Sequence, residues 1–142
     1  MGHRHECDVI LKAAAVLDYR PREKAAQKIK KEARTCSLDL VPTPDILAEL
    51  GRTRGKRRSV LVGFAAETTD LMANAKEKLK KKTLDMIVAN DVSRNDAGFE
   101  SDTNIVKIIY RDGAVEDLPL MTKLEVADHI LDRIKRLWEK AS

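Results

Sequence analysis

Apolar residues along the chain come in short blocks separated by polar stretches. "DVILKAAAV" (8–16) is short, apolar and bounded by charge, which predicts a buried strand. "TCSLDLVP" (35–42) alternates and predicts a strand. "RSVLVGFAA" (58–66) and "DMIVAND" (85–91) read as two more buried strands, and "NIVKIIYRDG" (104–113) as a strand ending on the turn pair Asp-Gly. Two segments carry helical periodicity: "ETTDLMANAKEKLKKKT" (67–83) and "MTKLEVADHILDRIKRLWEK" (121–140). In the second, Leu124, Ala127, Ile130, Leu131, Ile134 and Leu137 recur at helical spacing. "TPDILAELGRTRG" (43–55) fits a short helix, with Thr43 as N-cap, Pro44 at the first helical position and Gly51 at its end. "DYRPREKAAQKIKKEAR" (18–34) is basic and proline-punctuated and reads as a long loop. "SRNDAGFESD" (93–102) is another loop.

Strands that alternate with helices predict an α/β fold: a parallel-rich sheet between helical layers, three-layer and Rossmann-like. Residues 8–142 read as a single domain after a leader at 1–7, and no internal repeat interrupts them. In such sheets ligands bind beyond the carboxyl ends of the strands. That rule puts "AAVLD", "GFAAE" and "AND" on one rim.

Composition narrows the function classes. The 142 residues are 43% hydrophobic and 35% charged, with a net charge of +4, which favours anionic partners without singling out nucleic acid. Aromatic residues make up only 4%, and no stacking platform accompanies the basic run "GRTRGKRR" (51–58). A solvated loop is the favoured reading of that run over a nucleic-acid contact. Cys7 and Cys36 lack a CxxC arrangement and read as free thiols. No apolar stretch is long enough to span a bilayer, and no signal peptide opens the chain, so a cytoplasmic location is expected. His3 and His5 fall in the leader and His129 stands alone in a helix, so no metal site built from protein ligands is expected.

The lysine-dense helix is the most particular feature. At about 100° per residue, Lys78 and Lys82 lie together on one flank of the stripe centred on Leu79, and Lys76 and Lys80 on the other. Glu77 and Lys81 point outward. Like charges four residues apart repel by roughly a few tenths of a kcal/mol. The pattern fits either a solvated face or a polyphosphate site, since lysine supplies a flexible point charge for phosphate oxygens. "QKIKKE" (27–32) has the same two readings. Phe64 is either core or a flat wall for a base or sugar; Asp18 is either a turn cap or a polar hook for a substrate.

"AAAVLDYRP", "KIKK", "PDILAELG", "VGFAAET", "KLKKKTLDMIVANDV" and "GFESDTN" together resemble bacterial phosphopantothenoylcysteine synthetase, over about residues 8 to 138. That enzyme is often the C-terminal domain of the bifunctional coenzyme A biosynthesis flavoprotein, beside a decarboxylase domain. The resemblance implies a Mg²⁺-requiring homodimer that joins 4′-phosphopantothenate to cysteine with CTP, through an acyl-cytidylate. It implies that Lys12, Ala13 and Ala14 approach the nucleotide through their backbone, and that Asp18 and Ala15 hold the reacting arm. Lys28 would contact CTP, and Pro44, Asp45, Ile46 and Leu47 would line the cytosine pocket. Phe64 would face the nucleotide, Lys78 and Lys82 would hold its phosphates, and Asn90 would contact phosphate or intermediate. The family's opening Gly-rich loop and "SSGxMG"-like segment have no counterpart in these residues. The resemblance therefore implies an N-terminally truncated domain that carries the nucleotide-binding part, without turnover of its own.

Overall fold

The computed structural model describes residues 6–28, 37–55, 59–67, 69–91 and 102–140. The chain divides into two compact units: Ala14–Ile46, and the remainder, Met1–Ala13 with Leu47–Ser142.

The larger unit is built on a five-stranded sheet in the order β1 (Val9–Lys12), β4 (Val60–Glu67), β5 (Met86–Asp91), β6 (Thr103–Tyr110) and β7 (Val115–Thr122). β1, β4 and β5 are parallel; β6 is antiparallel to β5, and β7 to β6. Four of the five strands therefore point the same way, and the sheet is mixed but parallel-rich. Helices α1 (Ile46–Arg52) and α2 (Leu71–Lys81) cover one face. There Leu47, Leu50, Ala75 and Leu79 pack on Leu61, Ala65, Ile87, Ala89 and Ile109. Helix α3 (Lys123–Lys140) covers the other face, with Val126, Ile130 and Ile134 packed on Val62, Met86, Val88, Val106 and Ile108. This is the expected three-layer α/β arrangement.

Local boundaries shift for identifiable reasons. The strand expected at 8–16 is only Val9–Lys12, and it is not buried. β1 is an edge strand whose pairing ends at Lys12 opposite Gly63, so alternate side chains face solvent. The helix expected at 67–83 is shortened to Leu71–Lys81 because Asp70 and Thr83 both turn left-handed, at φ 48° and 53°. α1 starts at Ile46, so Thr43 is not its N-cap; the Thr43 hydroxyl is buried without a partner. Gly51 does not end α1 either. It is where α1 crosses the end of α2, and a Cβ there would lie 2.0 Å from the Lys82 carbonyl oxygen.

α3 begins with a reciprocal capping box. The Thr122 amide donates to the Glu125 carboxylate at 2.8 Å, and the Glu125 amide donates to the Thr122 hydroxyl at 3.2 Å. Its buried stripe is Val126–Ile130–Ile134 with Leu137 packed beside it, so Ile130, Ile134 and Leu137 of the expected stripe face the sheet and Val126 replaces Leu124 and Leu131. Leu124 and Leu131 are 74% and 58% exposed. The helix carries two neighbouring apolar stripes, and only the second packs on the sheet.

The smaller unit is an antiparallel ribbon of β2 (Tyr19–Pro21) and β3 (Leu40–Pro42). β2 lies inside the expected 18–34 loop, and β3 is the end of the expected 35–42 strand. The Thr43 amide donates to the Asp18 carbonyl at 2.7 Å, which closes the ribbon at that end. His3, His5, Cys36, the 29–34 part of the basic loop and most of the 93–102 loop lie outside the described residues.

Candidate functional site

β1, β4 and β5 deliver their carboxyl ends to one rim, as the parallel pairing requires. Side chains alternate along β4, so Phe64 falls on the face of Val60 and Val62, toward α3. There a cavity of about 400 Å³ opens between the rim and α3. Leu11, Phe64, Ala127 and Leu131 are among its apolar walls, and Ala13, Asn104 and Lys123 also line it. Ala13 and Phe64, far apart in sequence, thus meet at one hollow.

Two amides mark this face. Asn90 on β5 and Asn104 on β6 each bury a side-chain oxygen with no hydrogen-bond partner. Both sit where alternation puts them on the α3 side of the sheet, with Val88 and Val106 as neighbours in the pattern. Asn104 was not singled out from the sequence. The signal was available: asparagine is depleted in strands, and "NIVKIIY" places one in phase with the buried Val106 and Ile108.

Lys78 and Lys82 lie elsewhere. α2 packs on the opposite face, and its last turn leads to the amino end of β5, where the Asp85 amide donates to the Leu61 carbonyl at 2.9 Å. Phe64, by contrast, pairs with Val88 farther up the strands. Within this unit the two lysines and Phe64 are therefore not brought into one pocket. Lys78 and Lys82 are half-buried, whereas Lys76, Lys80 and Lys81 are exposed, so the two lysine flanks are not equivalent. Lys12 and Leu47 share the sheet face of α2, while Ala13 and Phe64 face α3. Ala14, Ala15, Asp18, Lys28, Pro44, Asp45 and Ile46 belong to the smaller unit. There the hydrogen bond from Thr43 to Asp18 brings Asp18 beside the start of the 44–46 segment.

A larger open hollow of about 900 Å³ lies at the other end of the sheet, lined in part by Arg52, Arg54, Tyr110, Arg111 and Lys140. Much of its charge is committed internally. Asp85 accepts from Arg54 and from the Leu61 amide at 2.8 Å, and pairs with the Arg111 guanidinium at 3.2 Å. Arg111 also donates to the carbonyls of Leu84 and Thr83, at 3.0 and 2.8 Å. The basic run "GRTRGKRR" thus contributes Arg54 to a structural clamp, and Lys56–Arg58 lie outside the described residues. Nearby, the Tyr110 hydroxyl donates to Glu116 at 2.8 Å, and Arg133 donates to the same carboxylate at 2.9 Å. Burial first, then the bond to Glu116, pushes the Tyr110 hydroxyl up to about 12. The same hydrogen bond, with help from Arg133, holds Glu116 below the usual carboxylate range. His129 places Nδ1 2.9 Å from the Arg133 guanidinium. Among the described residues no three His, Cys, Asp or Glu side chains converge on a metal position. No helix among them is long and apolar enough to cross a membrane.

Residues 1–137 match the family of the DNA/pantothenate metabolism flavoprotein C-terminal domain. The chain belongs to that family. A Bacillus subtilis relative, the coenzyme A biosynthesis bifunctional protein CoaBC, is 48% identical over 130 residues, which cover 92% of this chain and 32% of the relative. A protein from an unknown prokaryotic organism, named cysteine/cysteine sulfinic acid decarboxylase, is 44% identical over 93% of this chain and 36% of its own length. The crystal structure of the C-terminal domain of a CoaBC protein is similar at a TM-score of 0.76 and 40% identity, over 98% of this chain and 59% of that one. The chain thus spans about a third of the length of the curated relatives it matches.

Proposed function

We propose that this chain carries the nucleotide-binding part of a CTP-dependent phosphopantothenate–cysteine ligase of coenzyme A biosynthesis, acting as a homodimer. Its relatives named as CoaBC proteins support the reading, and the relative named as a decarboxylase supports a fused or separate decarboxylase domain beside it. The observation that carries it is the convergence of Ala13 and Phe64 on one rim cavity backed by two unpartnered amides.

In the proposed reaction a carboxylate oxygen of 4′-phosphopantothenate attacks the α-phosphorus of CTP. The P–O bond to the leaving group breaks, releasing pyrophosphate and leaving an acyl-cytidylate. The cysteine amine then attacks the acyl carbon, forms the amide and expels CMP. Charge builds on phosphate oxygens in the first step, and fixed positive groups there lower its barrier. Lys78 and Lys82, on the α2 face of the sheet and apart from the Phe64 cavity, are the proposed donors of that charge, and Lys28 is a further proposed CTP contact. The backbone of Lys12–Ala14, Phe64 and the Pro44–Leu47 segment would position the nucleotide. Asp18, Ala15 and Asn90 would hold the reacting arm. Among the described residues no three His, Cys, Asp or Glu side chains form a cage for Mg²⁺. The ion is assigned to the triphosphate as part of the substrate, and no step is routed through it.

Calorimetric titration with CTP, ATP and a single-stranded oligonucleotide tests the assignment. Base-selective binding of CTP is expected. Absence of nucleotide binding, or oligonucleotide binding that falls steeply with salt while CTP does not bind, would overturn it. Product formation from CTP, cysteine and 4′-phosphopantothenate by these 142 residues alone is not expected, since the "SSGxMG"-like segment has no counterpart in them.

A further inference from the structure

We infer that Asn104 is a ligand-positioning residue: its side-chain carbonyl receives a hydroxyl or N–H donor from a substrate group lodged in the cavity under α3. The inference rests on the nucleotide-ligase reading and extends it to a residue which that reading does not use.

Three observations carry it. The Asn104 Oδ1 is buried and has no hydrogen-bond partner, and Asn104 lines the cavity. A buried acceptor left unpaired is destabilising, and an apolar residue of similar shape removes that cost. Apart from Asn90 the face around it is apolar, built from Val88, Val106, Ile108, Val126 and Ile130, so packing alone gives no reason for an amide here. Second, Asn90 repeats the feature on the neighbouring strand, opposite Val106. Third, the backbone is adjusted at this position. Asn104 pairs with Met121 and Val106 with Leu118, so β7 advances three residues while β6 advances two. Pro119, which has no amide hydrogen to give, lies in that extra length. Such irregularities re-aim a side chain and are frequent beside functional sites.

The cavity dictates the chemistry of its occupant. The walls are aliphatic and aromatic, so the occupant is a flat or branched apolar skeleton. The acceptor asks for a neutral donor on it. A ribose hydroxyl of the nucleotide and a hydroxyl or amide N–H of the pantothenoyl arm both meet this description.

The test compares the parent chain with Asn104→Leu and Asn104→Asp, by calorimetric affinity for CTP and, separately, for 4′-phosphopantothenate, with a melting temperature of each free protein. Asn104→Leu removes the acceptor and keeps the branched shape. The expected result is an unchanged or raised melting temperature and a loss of about two- to tenfold in affinity for one of the two ligands. Asn104→Asp keeps an acceptor and should retain more of that affinity. A loss confined to CTP assigns the donor to the nucleotide; a loss confined to 4′-phosphopantothenate assigns it to the arm. A parent that binds while Asn104→Leu binds both ligands equally well overturns the inference and leaves the ligase reading standing. So does a melting temperature lowered by Asn104→Leu with affinity intact, which would make the amide structural. A parent that binds neither ligand overturns both.

Discussion

Replacing Gly51 with alanine sets two known effects against each other. Gly51 lies in α1, and alanine is favoured over glycine in a helix by about 1 kcal/mol, so propensity alone predicts a more stable protein. Packing predicts the reverse. The new Cβ would meet the Lys82 carbonyl oxygen at 2.0 Å and its carbonyl carbon at 2.9 Å. Both are backbone atoms, so no rotamer change relieves the contact, and α1 or the end of α2 must move by about an ångström. Overpacking of this kind costs about 1–3 kcal/mol and at times more, and a backbone clash belongs at the upper end. The net effect is a loss of about 1–2 kcal/mol. For a chain of this size that lowers the melting temperature by roughly 4–8 °C. Thermal melts followed by helical circular dichroism measure it. Ala73→Gly, at an exposed position of α2, reads the propensity effect alone and should cost about 1 kcal/mol. A Gly51→Ala protein that melts at or above the parent would refute the close crossing of α1 and α2.

Three further outcomes are expected. Tyr110 holds its proton more tightly in the fold than in the unfolded chain, so its contribution is complete below pH 10 and is lost as pH rises toward about 12. Denaturant titrations should show stability falling across that window, with a flatter profile for Tyr110→Phe. Lys78→Ala and Lys82→Ala should each weaken CTP binding about tenfold or more with little change in melting temperature, while Lys81→Ala changes neither; calorimetry and melts of all three decide it. Sedimentation at tens of micromolar, on the order of a weak dimer's dissociation constant, should show a species heavier than the 16.0 kDa monomer.

The sheet was legible wherever a strand is buried on both faces. β4 and β5 pack against helices on either side, read as continuous apolar runs, and were placed to within about two residues. Edge strands were harder. β1 was overextended because "AAAV" is apolar without being paired. β7 went unassigned because "VEDLPLMT" carries acids and a proline that only an irregular edge strand accommodates. The ends of α2 were invisible because Asp70 and Thr83 adopt left-handed conformations that neither residue type announces. At the site, Phe64 and Ala13 were picked out and do share a cavity. The in-phase asparagine of "NIVKIIY" is visible in the sequence, whereas the missing partner of Asn104 shows only in the fold. On α3 the expected stripe mixes two that lie side by side: Ile130, Ile134 and Leu137 meet the sheet, Leu124 and Leu131 do not, and spacing alone does not separate them.

The lysines of α2 can be weighed again with the helix end in view. From spacing, repulsion between lysines four residues apart leaves two readings, a solvated face or an anion that relieves it. Lys78, Lys80 and Lys81 lie in the last turn, where the helix carbonyls favour positive charge by roughly 0.3–1 kcal/mol each. That is as large as the repulsion of a few tenths. The cluster therefore has a sufficient structural reason to exist, and repulsion is no argument for a ligand. What still separates Lys78 and Lys82 from their neighbours is burial. Lys81 enjoys the same helix end and is exposed, whereas Lys78 and Lys82 are half-buried. If the helix end were the whole explanation, alanine at 78, 81 and 82 would behave alike. A nucleotide affinity that falls at 78 and 82 but not at 81 requires something that reads position as well as charge, and a bound phosphate chain would do so.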